Sequence, residues 1–411
     1  MAQSDFEVVI VGGGAAGIAA ARRLHETHIK CLLVEARDRL GGRAWTVAGT
    51  DGSALDLGCG WLHSADRNPW VPIAQVQGRT IDKTLPPWAR PSLTQGFPPD
   101  DQQAFHAALN AFFDRVSEAA RGPDRPASDL LEEGNRWNGL IGAVATYITG
   151  AELRAVSIHD FNNYADSEVN WRVTDGYGTL IAAHAGDAPV ALGCPVRTID
   201  HSSTRLKIET ATGSLTADQV IVALPSTLIA EEAVHFTPAL PEKIAAARGL
   251  PLGLADKLFL ALDQAEEFEP GTRLFARTDR TATASYHLRP FGRAQIEVFF
   301  GGDLAWELEK GGERAFTNFA IGELADLLGS GFAKRVSPIR IHPWGSDPFA
   351  RGGYSCALPG HAESRARLAA PVDNRLFFAG EACSLNDFST AHGALLTGLA
   401  AADAVLAVRG R

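Results

Sequence analysis

Cysteines are few in this chain of 411 residues, and nothing in their spacing indicates that they pair. The five are scattered and odd in number, without a C-x-x-C motif: Cys31, Cys59, Cys194, Cys356 and Cys383. A disulfide framework or a zinc site would need closer, paired spacing. We therefore predict reduced thiols, a cytoplasmic protein and no bound metal.

Long runs of one charge or of apolar residues are also missing. The sequence has no block of five or more basic residues and a formal net charge of −10, so a nucleic-acid partner is not expected. The first ten residues contain Asp5 and Glu7 and lead directly into an apolar run, which leaves no room for a secretory signal. The longest apolar candidate, residues 394–408, is interrupted by Asp403. We expect no membrane-spanning segment.

What the chain does have is enough length and apolar content, 45% hydrophobic residues, for more than one core. Single cores usually stop growing at about 250–300 residues, so we predict two domains. Seven prolines between positions 69 and 99 mark an excursion out of the first domain. Helices follow at about residues 102–120 and 137–147, and we expect the aromatic stripe of the first, with Phe105 and Phe113, to be core.

A glycine-rich turn follows the first apolar run, residues 8–11. Gly12, Gly14 and Gly17 have the G-x-G-x-x-G spacing of a dinucleotide-binding βαβ unit. In that unit the first glycine permits a tight turn, the second lets the backbone approach a pyrophosphate, and the third lets the helix pack on the strand. The diphosphate would lie at the N-terminus of a helix predicted over residues 15–25.

A second apolar run, residues 31–34, ends in Glu35, where an acceptor for ribose hydroxyls is expected. The residues after it supply backbone and guanidinium groups that can reach phosphates or the flavin end of a cofactor. We predict that four of them bind the cofactor: Ala36, Arg37, Gly42 and Arg43. This extension favours FAD over NAD. An ordinary glycine turn in an α/β domain is the alternative.

Residues 8–24, VVIVGGGAAGIAAARRL, and residues 34–43, VEARDRLGGR, together resemble the opening of the flavin-containing amine oxidase family. That family includes monoamine oxidases, polyamine oxidases and L-amino-acid oxidases. The resemblance recurs in at least four places and covers most of the chain. It implies FAD as the cofactor and an amine as the substrate.

Residues 56–63, DLGCGWLH, are similar to the family segment that passes the reactive face of the flavin. The resemblance implies that Gly58, Gly60 and Trp61 contact the ring system. It also implies that Trp61 and His63 face the substrate passage. A histidine by itself is more often a surface or structural residue, so that alternative stays open.

Residues 162–172 mix polar and aromatic side chains and include Asp166 and Glu168. Such a segment suits a pocket that accepts a charged amine, with one of the acids balancing its charge. It suits a solvated loop equally well.

Lys257 lies in an apolar strand predicted within residues 252–262. The two-residue repeat of a strand turns it away from Leu258 and Leu260, so its ammonium either reaches out to solvent or serves a pocket. In the family that the chain resembles, a lysine at this place holds a water against flavin N5 and assists the reaction of the reduced flavin with oxygen. We therefore predict that Lys257 is catalytic.

Two further segments resemble cofactor contacts of the family. Residues 195–199, PVRTI, are similar to the segment whose valine reaches the adenine, which implies Val196. Residues 342–355 resemble the signature W-x-x-D-P-x-x-x-G-x-Y-S beside the isoalloxazine, which implies that Trp344 contacts both flavin and substrate.

The attachment of the flavin is predicted from the end of that signature. Some monoamine oxidases have a flavin-linking cysteine near here, whereas this chain has Tyr354 at the matching position. We predict non-covalent FAD and assign Tyr354 to the substrate pocket. The two-tyrosine cage of monoamine oxidases is not expected, because Ser355 and Thr390 stand at the matching positions.

The last apolar strand ends in Gly380 and Glu381. By the resemblance, the glutamate meets the ribityl-phosphate region, and a following helix directs backbone N–H groups near Ala391 at the N1/O2 edge of the flavin. The partial positive charge of a helix N-terminus opposes negative charge there. Thr390 is predicted in the substrate pocket, and capping of the helix by Ser389 or Thr390 is the alternative.

We predict an α/β fold in which a discontinuous Rossmann-like FAD-binding domain carries an inserted α+β substrate-binding domain. The FAD-binding domain would comprise residues 1–80, 190–235 and 345–411. The substrate-binding domain would comprise residues 81–189 and 236–344.

The predicted reaction is FAD-dependent amine oxidation. Hydride passes from the amine α-carbon to flavin N5, the imine hydrolyses to an aldehyde or ketone, and O2 is reduced to hydrogen peroxide. The expected partners are a small-molecule amine and O2, and the protein is expected to be a monomer or a homodimer. A flavin desaturase or dehydrogenase of an apolar substrate and a catalytically silent FAD-binding protein remain alternatives. The sequence does not choose among monoamines, polyamines and amino acids.

Overall fold

The apolar runs of the sequence become buried strands of two main sheets in the computed structural model, which describes residues 4–410. Over that range the chain forms nineteen strands. They are β1 (Ser4–Val11), β2 (Cys31–Val34), β3 (Thr46–Ala48), β4 (Ala54–Asp56), β5 (Ile81–Asp82), β6 (Arg172–Val173), β7 (Val190–Ala191), β8 (Val196–Asp200), β9 (Leu206–Thr210), β10 (Gly213–Val222), β11 (His235–Thr237), β12 (Leu252–Gly253), β13 (Ala255–Leu262), β14 (Thr272–Phe275), β15 (Ser285–Leu288), β16 (Gln295–Gly301), β17 (Val336–Ile341), β18 (Tyr354–Ser355) and β19 (Leu376–Phe378).

Twelve α-helices connect these strands within residues 4–410. They are α1 (Ala15–Glu26), α2 (Trp70–Val76), α3 (Pro99–Ala119), α4 (Asn138–Thr149), α5 (Ile158–Asn163), α6 (Tyr177–Ala183), α7 (Ser226–Ala230), α8 (Pro241–Arg248), α9 (Gly302–Lys310), α10 (Glu313–Leu328), α11 (Ser364–Ala369) and α12 (Ala391–Val408).

The first sheet has the strand order β11-β8-β9-β10-β1-β2-β7, and β19 pairs with β10 beside this path. β1 runs parallel to both β2 and β10, and β10 runs parallel to β19. Parallel strands are covered on both faces, which explains the uninterrupted apolar run of β1, where Val8, Val9 and Ile10 have no exposed surface. The carboxyl ends of β1, β2 and β10 consequently meet at one edge of the sheet.

The second sheet is antiparallel, in the order β14-β15-β16-β13-β17. One face packs on α10 in a core that contains Phe300 and Phe316. Because side chains alternate along a strand, Lys257 of β13 and its neighbours Glu297 and Phe299 of β16 project from the opposite face. That face is turned toward the first sheet's carboxyl edge.

The helices α1 and α12 pack so closely that one residue at the contact has to be glycine. A Cβ added at Gly398 of α12 would stand 2.1 Å from the carbonyl oxygen of Ala16. Among residues 4–410, α12 is the one helix long and apolar enough to span a membrane, yet half of it is buried inside the protein, and core helices meet the same criterion. The close contact with α12 fixes the position of α1, the helix that begins directly after the glycine turn.

Two departures from the predicted elements have clear physical causes. β10 begins at Gly213, before its apolar run, because its first half pairs with β9 in an antiparallel hairpin. The aromatic stripe of α3 was expected to be core, and Phe105 and Phe112 are buried. Leu109 and Phe113 are only partly buried and line a cavity, so the expectation was wrong for that part of the stripe.

The division into two domains stays a prediction. Two helices from the ranges predicted for the substrate-binding domain, α6 and α8, pack against the first sheet. α6 buries Tyr177 and Leu180 in the core that holds α1 and α12. α8 buries Ala246 and Ala247 in the core on the other face of the first sheet.

Candidate active site

A cavity of about 1160 Å³ extends from the carboxyl edge of the first sheet to the second sheet. Val11, Val34 and Ala223, at the ends of β1, β2 and β10, line one part of it, and Lys257 and Phe299 line another. Open α/β sheets bind ligands at this edge. Because ordinary small-molecule pockets measure about 300–1,000 Å³, this one has room for a dinucleotide and a small substrate.

The cavity collects the site residues predicted from the sequence, with Gly17 as the exception. Those that line it are Gly12, Gly14, Glu35, Ala36, Arg37, Gly42, Arg43, Gly58, Gly60, Trp61, His63, Val196, Lys257, Trp344, Tyr354, Gly380, Glu381, Thr390 and Ala391. Gly17 lies beneath the turn, where an added Cβ would stand 1.9 Å from the Gly12 carbonyl oxygen. It allows α1 to pack closely, which is the duty expected of the third glycine.

The glycine turn leaves a space shaped for a phosphate. Gly12 has a φ of 106°, and a Cβ there would stand 2.5 Å from the Ala223 carbonyl oxygen. Gly14 faces open space, since no atom of residues 4–410 lies within 4 Å of a Cβ built on it. No side chain in the same range caps α1. The first N–H groups of the helix therefore remain available to an anion.

Glu35 is held at the end of β2 by two backbone donors. Its Oε2 accepts from the Gly13 N–H at 2.6 Å, and its Oε1 accepts from the Arg37 N–H at 2.8 Å. Each carboxylate oxygen keeps a further lone pair for a ribose hydroxyl. The Arg37 guanidinium pairs with Asp347 at 2.5 Å, which joins the turn to the loop before β18.

Arg43 and Glu381 form the central ion pair of the site. Arg43 Nη1 lies 2.9 Å from Glu381 Oε1 and donates to the Gly353 carbonyl oxygen at 2.8 Å. Burial alone would raise the pKa of Glu381, but Arg43, Ser355 and other donors reverse that effect and lower it. The carboxylate therefore stays charged and fixes Ser355 and the start of α12.

Lys257 does not reach out to solvent. Its ammonium donates to the Asp56 carbonyl oxygen at 2.8 Å and lies 3.2 Å from Glu297 Oε1, and the side chain is only 7% exposed. A Cβ added at Gly60 would stand 3.2 Å from Lys257 Nζ. The strand pattern left open whether the ammonium reaches solvent or serves a pocket, and in the structure it faces the pocket.

The loop with Trp344 is tied to the same segment. The Trp344 indole N–H donates to the Leu57 carbonyl oxygen at 2.9 Å. A Cβ on Gly58 would stand 1.7 Å from the Arg43 carbonyl oxygen and 3.1 Å from the Trp344 ring. Residues 56–63, the Arg43 turn and the Trp344 loop thus form one wall of the cavity.

The chain matches known proteins over nearly its whole length. Residues 96–406 match the family model described as flavin containing amine oxidoreductase, and residues 10–73 match a NAD(P)-binding Rossmann-like domain. The chain belongs to the flavin-containing amine oxidase family.

Relatives of this amine oxidase agree with that assignment. Polyamine oxidase 5 of Oryza sativa subsp. japonica is 29% identical, over 97% of this chain and 87% of its own length. Probable polyamine oxidase 4 of Arabidopsis thaliana is 28% identical, over 96% and 86%. Lysine-specific histone demethylase 2 of Homo sapiens is 26% identical, over 97% and 53%.

The fold also matches that of solved amine oxidases. The structure of wild-type putrescine oxidase bound to putrescine superposes with a TM-score of 0.77 at 19% identity, covering 98% of this chain and all of that one. The α/β architecture predicted from the sequence is confirmed. The protein is a FAD-dependent amine oxidase, and the desaturase and silent-protein alternatives are not favoured.

The residues of the cavity fit non-covalent FAD. The glycine turn with its open helix N-terminus suits the diphosphate, and Glu35 suits a ribose. Val196 lines the nucleotide part, beside the exposed Arg197. Tyr354 lines the cavity, and its hydroxyl donates to the Tyr147 carbonyl oxygen.

The sequence analysis missed Glu297 and His287, and it left open whether Arg172, the last residue of the segment 162–172, belongs to the pocket. All three are buried beside Lys257, and Glu297 has no exposed surface. The available signal was a single acid inside the apolar strand QIEVFF, which a buried strand tolerates only with a partner. That partner comes from cross-strand pairing and from β6, and neither is visible in the local sequence.

Thr390 fulfils the capping alternative. Its hydroxyl accepts from the Gly393 N–H at 2.9 Å and donates to the Asp387 carbonyl oxygen at 2.6 Å. It lines the cavity as well, as predicted, but its polar group is used by the helix. The cap positions the first turn of α12, including Ala391, against the cofactor space.

Aromatic and polar side chains form the substrate part of the cavity. Trp61 and Trp88 stand edge to face with ring centroids 4.6 Å apart. His63 Nδ1 lies 2.6 Å from Asn170 Oδ1, and burial lowers the pKa of His63. The ring is therefore neutral at pH 7, donates from Nδ1 and leaves Nε2 as an acceptor.

The chain's own residues supply orientation and electrostatics for the reaction. FAD, when bound, supplies the acceptor for the electron pair of the amine. The first turn of α12 offers partial positive charge to the cofactor space, and Lys257 offers an ammonium held from two sides. Trp61 and Trp344 line the same space with apolar ring surface.

Proposed function

We propose that this amine oxidase acts on an aliphatic diamine or polyamine and uses O2 as its electron acceptor. The amine loses two electrons and two protons to become an imine, which water cleaves to a carbonyl compound and an amine or ammonia. O2 takes up the electrons and protons and leaves as hydrogen peroxide. The observation that carries the proposal is Lys257, whose ammonium is held by the Asp56 carbonyl oxygen at the wall of the cavity.

The substrate class is supported by the charge and shape of the cavity. Asp166 and Glu168 line it and are solvent exposed, which suits a distal ammonium group. Trp88 and Tyr164 also line it, and aromatic rings attract cations, whereas the Trp61 ring already contacts the Arg172 guanidinium at 4.9 Å. Relatives named polyamine oxidase and a solved fold named putrescine oxidase are consistent with such a substrate.

We assign substrate contact to the predicted pocket residues, which are Trp61, His63, Trp344, Tyr354 and Thr390. We also infer a cytoplasmic monomer or homodimer without membrane association. The free thiols of all five cysteines within residues 4–410 support a reducing compartment. Size-exclusion chromatography with light scattering tests the oligomeric state, and a larger assembly would contradict it.

A panel of amines tests the substrate proposal. The purified holoenzyme is mixed with putrescine, a longer polyamine, a simple monoamine and an amino acid, and peroxide release is measured. We expect the highest kcat/KM for the diamine or polyamine. Asp166 and Glu168 are here called the rim acids. Replacing both, Asp166→Asn with Glu168→Gln, should raise KM for the diamine and polyamine more than for the monoamine. An equal change in KM for the dications and the monoamine would contradict the role of Asp166 and Glu168.

A second candidate substrate is an amine that also carries a carboxylate, and Arg273 favours it. The Arg273 guanidinium lines the cavity, stacks on Phe275 at 4.1 Å and donates from Nε to Ser285 Oγ at 3.3 Å. Within residues 4–410 no carboxylate lies within 4.0 Å of it. Burial lowers its pKa to about 10, which still leaves a cation at neutral pH.

Three other arginines, Arg172, Arg289 and Arg340, are not available to a substrate carboxylate. Arg172 pairs with Glu297 at 2.9 Å, Arg289 donates to the Phe268 carbonyl oxygen at 2.7 Å, and Arg340 is exposed on β17. The variant Arg273→Gln separates the two candidates. It should improve KM for a diamine if the substrate is a dication, and should abolish saturation by an ω-amino acid if the substrate carries a carboxylate.

A further inference from the structure

The face of the second sheet that lines the cavity carries a buried cluster of ionic groups around Glu297. Arg172 Nη1 lies 2.9 Å from Glu297 Oε2, and Lys257 Nζ lies 3.2 Å from Glu297 Oε1. His287 Nδ1 lies 3.7 Å from Glu297 Oε2. One carboxylate therefore bridges the predicted catalytic lysine to an arginine that comes from a different part of the chain.

The charges of this cluster are settled by its geometry. Burial alone would raise the pKa of Glu297, but Arg172, Lys257 and His287 together hold it well below its usual range. Burial lowers the pKa of His287, which leaves that ring neutral. Arg172 is held from its other side by the rings of Trp61 and Phe291, at 4.9 and 4.6 Å.

The hydrogen bonds of Lys257 show what the carboxylate does. An ammonium group has three N–H donors. The Asp56 carbonyl oxygen takes one at 2.8 Å, and Glu297 takes another at 3.2 Å from the side of β16. The third is left for the cavity, which Lys257 lines next to Gly60. Without Glu297 the ammonium would keep one fixed bond and turn freely about it.

We propose that Glu297 is a positioning residue that aims the Lys257 ammonium into the active-site cavity, with Arg172 neutralising the carboxylate. The inference rests on the proposed oxidase function for its kinetic consequence. Glu297 does not touch the substrate space by itself, and its effect passes through Lys257. Arg172 allows a carboxylate to remain charged in a buried site, where an unpaired one would be costly.

The first test separates the two half-reactions of the holoenzyme by stopped-flow spectroscopy. In Glu297→Gln, anaerobic flavin reduction by the amine should change little, whereas reoxidation by O2 should slow by about tenfold or more, since the charged acceptor that holds the ammonium becomes a neutral amide. Glu323→Gln is the matched control, because Glu323 is a half-buried acid that bonds Tyr286 on the opposite face of the same sheet. Equal slowing in both variants, or none in Glu297→Gln, would overturn the proposal.

The second test reads the lysine directly and needs no turnover. The holoenzyme is treated with limiting acetic anhydride, and acetylation of Lys257 is compared with that of Lys243, a buried lysine bonded to the Leu368 carbonyl oxygen at 3.0 Å. The Asp56 carbonyl oxygen and Glu297 hold the Lys257 nitrogen by hydrogen bonds, and losing the charged one leaves the amine freer to attack the anhydride. Lys257 should therefore react several-fold faster in Glu297→Gln, with Lys243 unchanged. An unchanged ratio of Lys257 to Lys243 acetylation would contradict the proposal. A wild type that oxidised no amine would count only against the proposed function.

Discussion

At the scale of single residues, the site is built from charges that are buried only because each has a partner. Lys257, Glu297 and Arg172 form one such group, and Arg43 with Glu381 forms another. Removing one partner leaves the other charge buried and unpaired, which costs more than the pair contributes. Substitutions in these groups are therefore expected to be severe and specific.

Lys257→Met tests the role of the ammonium group. The change keeps the length of the side chain and removes its charge, so flavin reoxidation by O2 should slow by about a hundredfold, the size typical of a lost electrostatic contact at a reacting centre. Flavin reduction by the amine should be affected less. Lys207→Met is the control, since Lys207 is an exposed lysine paired with Glu209 on β9. Stopped-flow reoxidation at the same rate as wild type would remove Lys257 from its role.

The lowered pKa of Glu381 has a consequence for stability. A carboxyl group whose pKa in the folded state lies below its ordinary value of 4.5 stabilises the fold above that pH, and this contribution is lost as the pH falls further. Thermal unfolding of Glu381→Gln should therefore depend less on pH below about 4.5 than that of the wild type.

Glu323 provides a control of opposite sign. Burial raises the pKa of Glu323, so its protonated form stabilises the fold at low pH and that contribution is lost as the pH rises. The variant Glu323→Gln should make the acid loss of stability steeper. Identical pH profiles for the wild type and both variants would contradict these assignments.

At the scale of secondary-structure elements, the position of α1 depends on α12. The glycine fingerprint opens α1, but the helix is held in place by Gly398 against Ala16, more than 300 residues away in the sequence. Local patterns could predict the turn, the helix and Glu35, because their chemistry lies within one βαβ unit. They could not predict that contact, nor the meeting of β6 and β16 that brings Arg172 to Glu297.

The variant Gly398→Ala tests this dependence. Its Cβ would stand 2.1 Å from a backbone oxygen, so we expect a loss of about 1–3 kcal/mol in the free energy of unfolding and weaker FAD binding. Gly322→Ala in α10 is the matched control, because open space surrounds that position over the residues described, and alanine is the better helix former by about 0.5–1 kcal/mol. Chemical denaturation and FAD titration measure both effects. Equal stability of the two variants would show that α1 does not depend on this contact.

At the scale of the whole molecule, the cavity exists because separated parts of the chain converge on it. The glycine turn, Glu35 and Arg43 come from the first part, Lys257 from the middle, and Gly380, Glu381 and α12 from the end. Resemblance to the family identified these pieces, since each has a recognisable motif. For Asp166 and Glu168 the sequence left a pocket and a solvated loop open, and the fold places them at the cavity. Arg273 has no motif, and only the fold brings it there.

The central claim, that this fold uses bound FAD to oxidise an amine, is tested most directly by adding a diamine to the purified protein under anaerobic conditions while recording its visible spectrum. The account predicts a yellow protein whose flavin absorbance bleaches on addition of the amine, then recovers when O2 is admitted, with release of a stoichiometric amount of hydrogen peroxide. A protein that takes up no FAD, or whose bound flavin stays oxidised with every amine in the panel, would contradict it.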